Sequence, residues 1–153
     1  MIMQIPPVLL YHKIDYPTAD VRIKGAFTSP RVFERQLAYL HRSGFEFLTA
    51  SELLTRLLNQ GLFPPKTVAI TFDDGWKDNY VNAFPILRKY GVPATIFIVP
   101  SLVGETSDQV TADGEGPREH ASADDIRDGI GRKLGAVSVK LRVFGLPECR
   151  ILQ

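Results

Sequence analysis

One short run of residues, Thr67–Phe72, most constrains what this chain can fold into. The run reads TVAITF, and neither of its two alternating sets of side chains contains a charge. A strand of this composition is buried on both faces, which is typical of parallel sheets that are covered by helices. The run therefore predicts a strand with helices on both sides.

The first hundred residues alternate between strand-like and helix-like patterns. Strands are predicted over 8–12, 45–48, 67–72 and 94–99, and a fifth over 137–144. Helices are predicted to begin after Ser29, which is followed by a proline, and at Thr49 or Ser51, and a third runs from about Lys77 to Tyr90. Strands and helices in this order predict a parallel α/β sheet or barrel.

The aromatic residues are distributed unevenly along the chain. Fourteen of the fifteen lie in residues 1–100, and the other is Phe144. The 153 residues suffice for one domain, whereas a complete (β/α)₈ barrel needs roughly 250. We therefore expect residues 1–100 to form amino-terminal βα units and residues 101–153 to be a degenerate or truncated continuation, partly loop. Within it, Ser122 followed by Asp125 predicts the start of a short helix.

Composition excludes several classes of protein. The 18 Lys and Arg residues nearly balance 17 Asp and Glu residues, so binding of nucleic acid or of an anionic membrane by bulk charge is not expected. The single cysteine, Cys149, excludes an internal disulfide and a Cys-rich zinc site. No segment approaches the roughly 18 apolar residues of a membrane span. Residues 1–10 lack the basic region of a signal peptide, so the default expectation is a cytoplasmic protein.

Two carboxylates follow the buried strand directly, as Asp73-Asp74-Gly75. The carboxyl ends of strands are where parallel α/β folds place ligands and chemistry. Adjacent carboxylates repel each other, and a divalent metal bound by one, with the other left as a base, resolves that repulsion. Alternatively, one aspartate caps the next helix while Gly75 relieves a turn. One carboxylate is enough for a cap, whereas two need a further reason.

At this point the sequence resembles the polysaccharide deacetylases, carbohydrate esterase family 4. The resemblance lies in TVAITFDDGWKDNYVNAFPILRKYGVPATIFIVP, in the start PVLLYHKI and in FERQLAYLHRSGFEFLTASELL, and it covers nearly all of residues 7–100. It implies the front portion of a distorted (β/α) barrel, with about four to five parallel strands and intervening helices. It also implies hydrolysis of N-acetyl groups, which are carbon–nitrogen bonds other than peptide bonds, on a polysaccharide or peptidoglycan-type substrate.

The resemblance also implies roles for individual residues. Asp73 would be the general base and Asp74 a ligand of a divalent metal, usually zinc. The family completes its metal site with two histidines in an H-x-x-x-H arrangement. The weaker match of SADDIRDGIGRKLGAVSVKL places Val137 and Leu141 at those two positions. This departure supports the alternative hypothesis of a catalytically inactive or truncated relative.

Three other side chains, those of His12, Trp76 and His120, are candidates for the site. His12, after the first strand, either faces the site as a substrate-binding residue or satisfies a backbone group. Trp76 either stacks on a sugar or covers the core as an ordinary aromatic. His120, four residues before an aspartate, has the spacing of two ligands on one helix face, but its glycine-rich, acidic surroundings favour an exposed side chain. His41 is expected on a helix surface.

Two further hypotheses concern the chain as a whole. A phosphotransferase that uses the Asp pair with Mg²⁺ is disfavoured, because its carboxylates would stand two residues apart and no phosphate-binding glycine loop is present. An open sheet of about five parallel strands would expose an edge and apolar surface. We therefore expect self-association through this edge or marginal stability.

Overall fold

The computed structural model describes residues 6–19, 21, 24–59, 63–107, 116–131 and 138–141. The elements in chain order are β1 (Val8–Tyr11), α1 (Pro30–Arg42), β2 (Glu46–Leu48), α2 (Ala50–Asn59), β3 (Thr67–Phe72), α3 (Phe84–Tyr90), β4 (Thr95–Ile98), α4 (Ala123–Gly131) and β5 (Ser138–Leu141). Short 3-10 turns lie at Lys24–Ala26 and Pro100–Leu102, and a π turn, Asn79–Ala83, leads directly into α3.

The five described strands form one parallel sheet with β3 inside it. Strand β1 pairs with one edge of β3, placing Val8 opposite Ala69. The other edge of β3 pairs first with β2, through Leu48 opposite Ala69, and then with β4, through Thr71 opposite Thr95. Strand β5 pairs with β4. The predicted α/β fold with four to five parallel strands is confirmed, and all six residues of β3 are buried as their composition predicts.

The described core lies between one face of the sheet and the helices α1 and α3. Phe33 and Leu37 of α1, Ile70 and Phe72 of β3 and Leu87 of α3 are all buried in it. The Phe33 ring meets the Phe72 ring edge to face, with 5.7 Å between centroids. Full burial of each such side chain contributes about 1.5–3 kcal/mol to the free energy of unfolding. This packing fixes β3 and therefore the turn that follows it.

Local sequence explains where α1 and α2 begin. The Ser29 hydroxyl accepts a hydrogen bond from the Val32 amide at 3.3 Å, and proline occupies the first helical position. Thr49 and Glu52 form a reciprocal capping box, in which the Glu52 carboxylate accepts from the Thr49 amide at 2.8 Å and the Thr49 hydroxyl accepts from the Glu52 amide at 3.2 Å. Of the two predicted starting residues of α2, Thr49 is therefore the one that caps the helix.

The helix predicted over 77–90 differs from the prediction in one respect. Its first half contains the π turn Asn79–Ala83, and regular α-helix begins only at Phe84. Pro85 has no N–H to donate to the carbonyl of Val81, so the regular ladder cannot form there. Gly91 ends the helix in a left-handed conformation with φ of 61°. None of the described helices combines the length and the hydropathy needed to cross a membrane.

Candidate active site

The turn after β3 holds the Asp pair in a constrained backbone conformation. The Asp73 amide donates to the Tyr11 carbonyl at 3.0 Å, which extends the pairing of β1 and β3 by one residue. Asp74 then adopts φ of 70° and Gly75 φ of 68°. A left-handed conformation costs an L-residue roughly 1–2 kcal/mol, less for aspartate than for most side chains. Strain of this kind clusters at active sites and ligand clamps.

Gly75 is required by a close approach to β4 as well as by its backbone angle. A Cβ atom at this position would lie 2.9 Å from Cγ2 of Ile98. The turn therefore packs against the end of β4, and the Asp pair lies at the carboxyl edge of two neighbouring strands. This is the edge at which ligands bind in parallel α/β folds.

Neither carboxylate of the pair has a capping role among the described residues. The side chains of Asp73 and Asp74 are half-buried, and no described residue donates a hydrogen bond to either of them. Asp78, next to the π turn, does not cap it with its side chain. The alternative in which one of the pair caps the next helix is not supported within the described residues.

A segment far along the chain, residues 118–121, covers the turn. The Lys77 amide donates to the Glu119 carbonyl and the Ala121 amide to the Gly75 carbonyl, both at 2.9 Å, so that Trp76 and His120 lie opposite each other. This pairing is antiparallel and joins residues 44 positions apart. It joins the turn to a segment that lies outside the sheet.

The same segment leads into α4, whose start is held by a capping box. The Asp125 carboxylate accepts from the Ser122 amide at 2.8 Å, and the Ser122 hydroxyl accepts from the Asp125 amide at 3.2 Å. The predicted start of this helix is confirmed. Asp125 also pairs with the Lys77 ammonium at 2.6 Å, so one carboxylate joins the helix to the turn of residues 73–77, which is called the motif turn below. Burial is the largest single influence and raises the pKa of Asp125, but the hydrogen bonds from Lys77 and Ser122 together outweigh it and hold that pKa below its usual range.

Trp76 is part of an internal stack. The His120 ring lies 4.2 Å from the indole, at an interplanar angle of 26°, and the Lys13 ammonium also lies 4.2 Å from the indole centroid. Lys13 is 5.0 Å from the Phe27 ring, and the Arg118 guanidinium lies 4.7 Å from the same ring. These contacts hold the indole beside the Asp pair. Its contact with a sugar stays a prediction.

The three histidines have different surroundings. His12 is half-buried directly after β1, and its role toward substrate stays a prediction. His41 is exposed on α1, as expected, with its ring 5.9 Å from that of Tyr90. The expectation of an exposed His120 is wrong, because its relative exposure is only 4%. The local sequence indicated an exposed side chain, whereas the long-range pairing with the motif turn buries it.

Asp78 is a half-buried carboxyl that the sequence did not single out. It accepts a hydrogen bond from the Ile14 amide at 2.6 Å, while Asn82 donates to the Ile14 carbonyl at 2.8 Å. Burial raises the pKa of Asp78 to about 6. These contacts tie the loop after β1 to the helix after the motif. The only signal in the sequence was its position one helical turn beyond the Asp pair.

The donors for a metal ion are incomplete within the described residues. No group of three or more His, Cys, Asp and Glu side chains in the described ranges could hold an ion. Two groups nonetheless fit part of such a site. Asp74 has a carboxylate without a hydrogen-bond donor, and His120 has two buried ring nitrogens without a partner. Val137 and the side chain of Leu141, predicted to replace the histidine ligands, lie outside what the structure describes.

Comparison with known proteins finds similarity mainly over the amino-terminal part of the chain. Residues 60–118 match the family model described as polysaccharide deacetylase. The chain is 38% identical over 98 residues to YxkH of Bacillus subtilis, whose name assigns it to the polysaccharide deacetylases, covering 64% of this chain and 33% of that protein. It is 43% identical over 88 residues to a poly-β-1,6-N-acetyl-D-glucosamine N-deacetylase of Staphylococcus aureus, covering 58% of this chain and 30% of that one.

The fold is similar to that of solved structures. The structure of IcaB from Ammonifex degensii aligns with a TM-score of 0.74 and 28% sequence identity, covering 94% of this chain and 55% of that one. The chain thus spans about a third of the length of the curated relatives it matches and about half of this solved structure.

Proposed function

We propose that this chain, whose residues 60–118 match the family model described as polysaccharide deacetylase, supplies the Asp pair of a metal-dependent hydrolase that removes N-acetyl groups from carbohydrate. One observation carries the proposal. Two adjacent carboxylates, one of them in a left-handed backbone conformation, end the buried strand β3 without a structural partner among the described residues. The substrate class is an N-acetylated polysaccharide or peptidoglycan-type sugar, in keeping with the name of the S. aureus relative.

Asp73 is the general base of the proposed reaction. Its amide is anchored on the Tyr11 carbonyl, and its half-buried carboxylate is available to take a proton from water. Asp74 is the described residue that would hold a divalent metal ion, for which zinc is the proposed identity. A metal ion bound there would polarise the acetamide carbonyl and offset the charge that develops on its oxygen. The left-handed backbone at Asp74 and Gly75 fixes the direction in which the two neighbouring carboxylates leave the main chain.

His12 and Trp76 are the proposed substrate contacts. His12 follows Tyr11, the residue whose carbonyl holds Asp73, so it stands at the same sheet edge as the base. Trp76 is two residues from Asp74 and is fixed by its stack with His120. Both positions adjoin the Asp pair, which is where an acetylated sugar must bind.

A second candidate, a catalytically inactive relative, is favoured by the incomplete donor set. Catalytic zinc sites use three protein ligands, and no such group exists among the described residues. A protein of this kind would retain the fold and the Asp pair without turnover.

Acetate release from N-acetylglucosamine oligomers, measured on the zinc-equilibrated chain, tests the proposal. We expect release that falls at least about 100-fold in Asp73→Asn, because general base catalysis contributes at this scale. Asp124→Asn, a change on exposed α4 surface, is the matched control and leaves the rate unchanged. Equal rates in the wild type and Asp73→Asn would overturn the proposal and support the inactive relative.

A further inference from the structure

We propose that a cleft beside the Asp pair binds a sugar unit of the polymer next to the unit that loses its acetyl group. The inference rests on the proposed function, because it assigns the cleft to the same substrate. The cleft encloses about 480 Å³, which lies within the range of roughly 300–1,000 Å³ that is usual for ligand sites. Its ligand would be a neutral pyranose sugar, recognised through its hydroxyl groups.

Three loops that lie far apart in the sequence form the walls of the cleft. One follows β1 and contributes Asp15 and Thr18, the second continues from the motif turn and includes Lys77, and the third is the segment 116–119. The first two loops begin directly after β1 and β3, so both leave the edge of the sheet that carries the Asp pair. A polymer bound at the Asp pair can therefore extend into the cleft.

Hydrogen bonds among these loops fix the shape of the cleft. Asp78 accepts from the Ile14 amide at 2.6 Å, and Asn82 donates to the Ile14 carbonyl at 2.8 Å. The Arg118 guanidinium pairs with the Asp15 carboxylate at 2.9 Å, which joins the third loop to the first. A site whose walls are already held in place loses little freedom when a ligand binds.

The lining offers hydrogen-bonding groups that suit sugar hydroxyls. Thr18 and Glu119 are exposed, and neither side chain has a partner among the described residues. Asn82 donates to the main chain through its side-chain nitrogen, which leaves its side-chain oxygen as an acceptor. A hydroxyl group donates one hydrogen bond and accepts two, so it can pair with any of these three side chains.

The charges in the cleft favour a neutral sugar over an ion. Both signs are present among the ionisable residues that line it, which are Asp15, Asp78, Glu119, Lys77 and Arg118. Arg118 pairs with Asp15, and Lys77 pairs with Asp125. The basic groups oppose the binding of an amine and the acidic groups oppose the binding of an anion, whereas neither opposes an uncharged ring.

Val81 adds an apolar patch to the lining. Its side chain is 54% exposed and lies in the wall of the cleft. The carbon–hydrogen faces of a pyranose ring are apolar, so this patch can cover one face while the polar side chains bind the hydroxyls around the ring. Ligand sites typically combine apolar surface with a few placed polar groups in this way.

Amide NMR during a titration with N-acetylglucosamine oligomers tests the proposal. We expect the pentamer to shift the backbone amides of Thr18, Val81 and Glu119, and to bind at least tenfold more tightly than the monomer. The double variant Thr18→Ala/Glu119→Ala removes two exposed side chains and should weaken binding of the pentamer at least tenfold. Thr55→Ala/Asp124→Ala, with both changes at exposed positions on α2 and α4, is the matched control.

The proposal is overturned if the pentamer leaves these three amides unshifted, or if the double variant binds it as tightly as the control does. Shifts with the glucosamine pentamer and none with its acetylated form would also overturn it, since the cleft would then be a site for amines. Acetate release without a response of the cleft would contradict this inference alone. Binding of the acetylated pentamer in the cleft without acetate release would confirm a carbohydrate site and contradict the proposed function.

Discussion

Asp74 and Lys66 are the two described non-glycine residues with positive φ, at 70° and 64°. Lys66 precedes β3 and Asp74 follows it, so the same strand carries strain at both ends. At Lys66 the side chain donates to the Ser43 carbonyl at 2.8 Å, which gives its conformation a structural purpose. No such contact exists for Asp74 among the described residues. This contrast between two strained residues is the strongest residue-scale argument that Asp74 is retained for function.

Replacing Asp74 with glycine should stabilise the protein while removing the proposed site. Relief of the left-handed conformation is expected to raise the free energy of unfolding by about 1 kcal/mol. Urea denaturation measures the gain. Lys66→Gly is the matched control, since it relieves similar strain and should leave acetate release unchanged. A loss of stability in Asp74→Gly would show that the carboxylate has a structural role after all.

Asp78 makes the stability of the protein depend on pH. Its pKa is raised from 3.8 to about 6 in the folded protein, so between these values the folded state holds a proton that the unfolded state releases. Stability therefore falls as pH rises from about 4 to about 6, by about 3 kcal/mol at most. Asp78→Asn keeps an acceptor for the Ile14 amide and removes this titration.

Urea denaturation of the wild type and of Asp78→Asn from pH 4 to pH 7 checks the direction of this pH dependence. The stability of Asp78→Asn relative to the wild type should increase across this range. Parallel curves for the two proteins would contradict a raised pKa of Asp78.

At the scale of elements, the contact between the motif turn and β4 admits no side chain at Gly75. Gly75→Ala adds a methyl group 2.9 Å from Ile98 Cγ2 to the cost of a left-handed alanine. We expect a loss of about 3 kcal/mol in the free energy of unfolding. Gly91→Ala separates the two causes, because Gly91 has φ of 61° and open space around its Cβ position.

Thermal and urea denaturation should therefore give different losses in the free energy of unfolding for Gly75→Ala and Gly91→Ala. Gly91→Ala is expected to lose only about 1 kcal/mol, the backbone cost alone. Ile98→Ala should reduce the additional cost of Gly75→Ala. Equal losses in the two glycine variants would mean that the turn does not pack against β4 in solution.

Local signals account for the elements that the sequence predicted. The β-branched, uncharged composition of Thr67–Phe72 is sufficient to predict a strand buried on both faces. The caps at Ser29 and Ser122 depend on residues three positions away, so they can be read without a fold. The burial of His120 could not be predicted, because it depends on pairing with Trp76 across 44 residues. The π turn before α3 has a local cause in Pro85, which the helical periodicity does not reveal.

At the scale of the whole molecule, the described sheet leaves an apolar surface at β1. Among the described residues this strand pairs only with β3, and Val8 and Leu10, which alternate onto one face, are 51% and 54% exposed. An edge strand with exposed apolar side chains is a template for association. The predicted self-association is untested, and this surface is where we expect it.

Leu10→Lys should shift the protein toward monomer in sedimentation velocity experiments, because a charge on an edge strand opposes pairing with another chain. Leu54→Lys is the matched control, since Leu54 is 45% exposed on α2, away from the sheet edge. Association that persists equally in both variants would place the contact elsewhere on the molecule.

The central claim is that the Asp pair after β3 is a deacetylase site, and the ratio of acetate release by the zinc-equilibrated wild type to that by Asp73→Asn tests it most directly. The account predicts a ratio of at least about 100 on N-acetylglucosamine oligomers. A ratio of one, with both proteins folded, would contradict it.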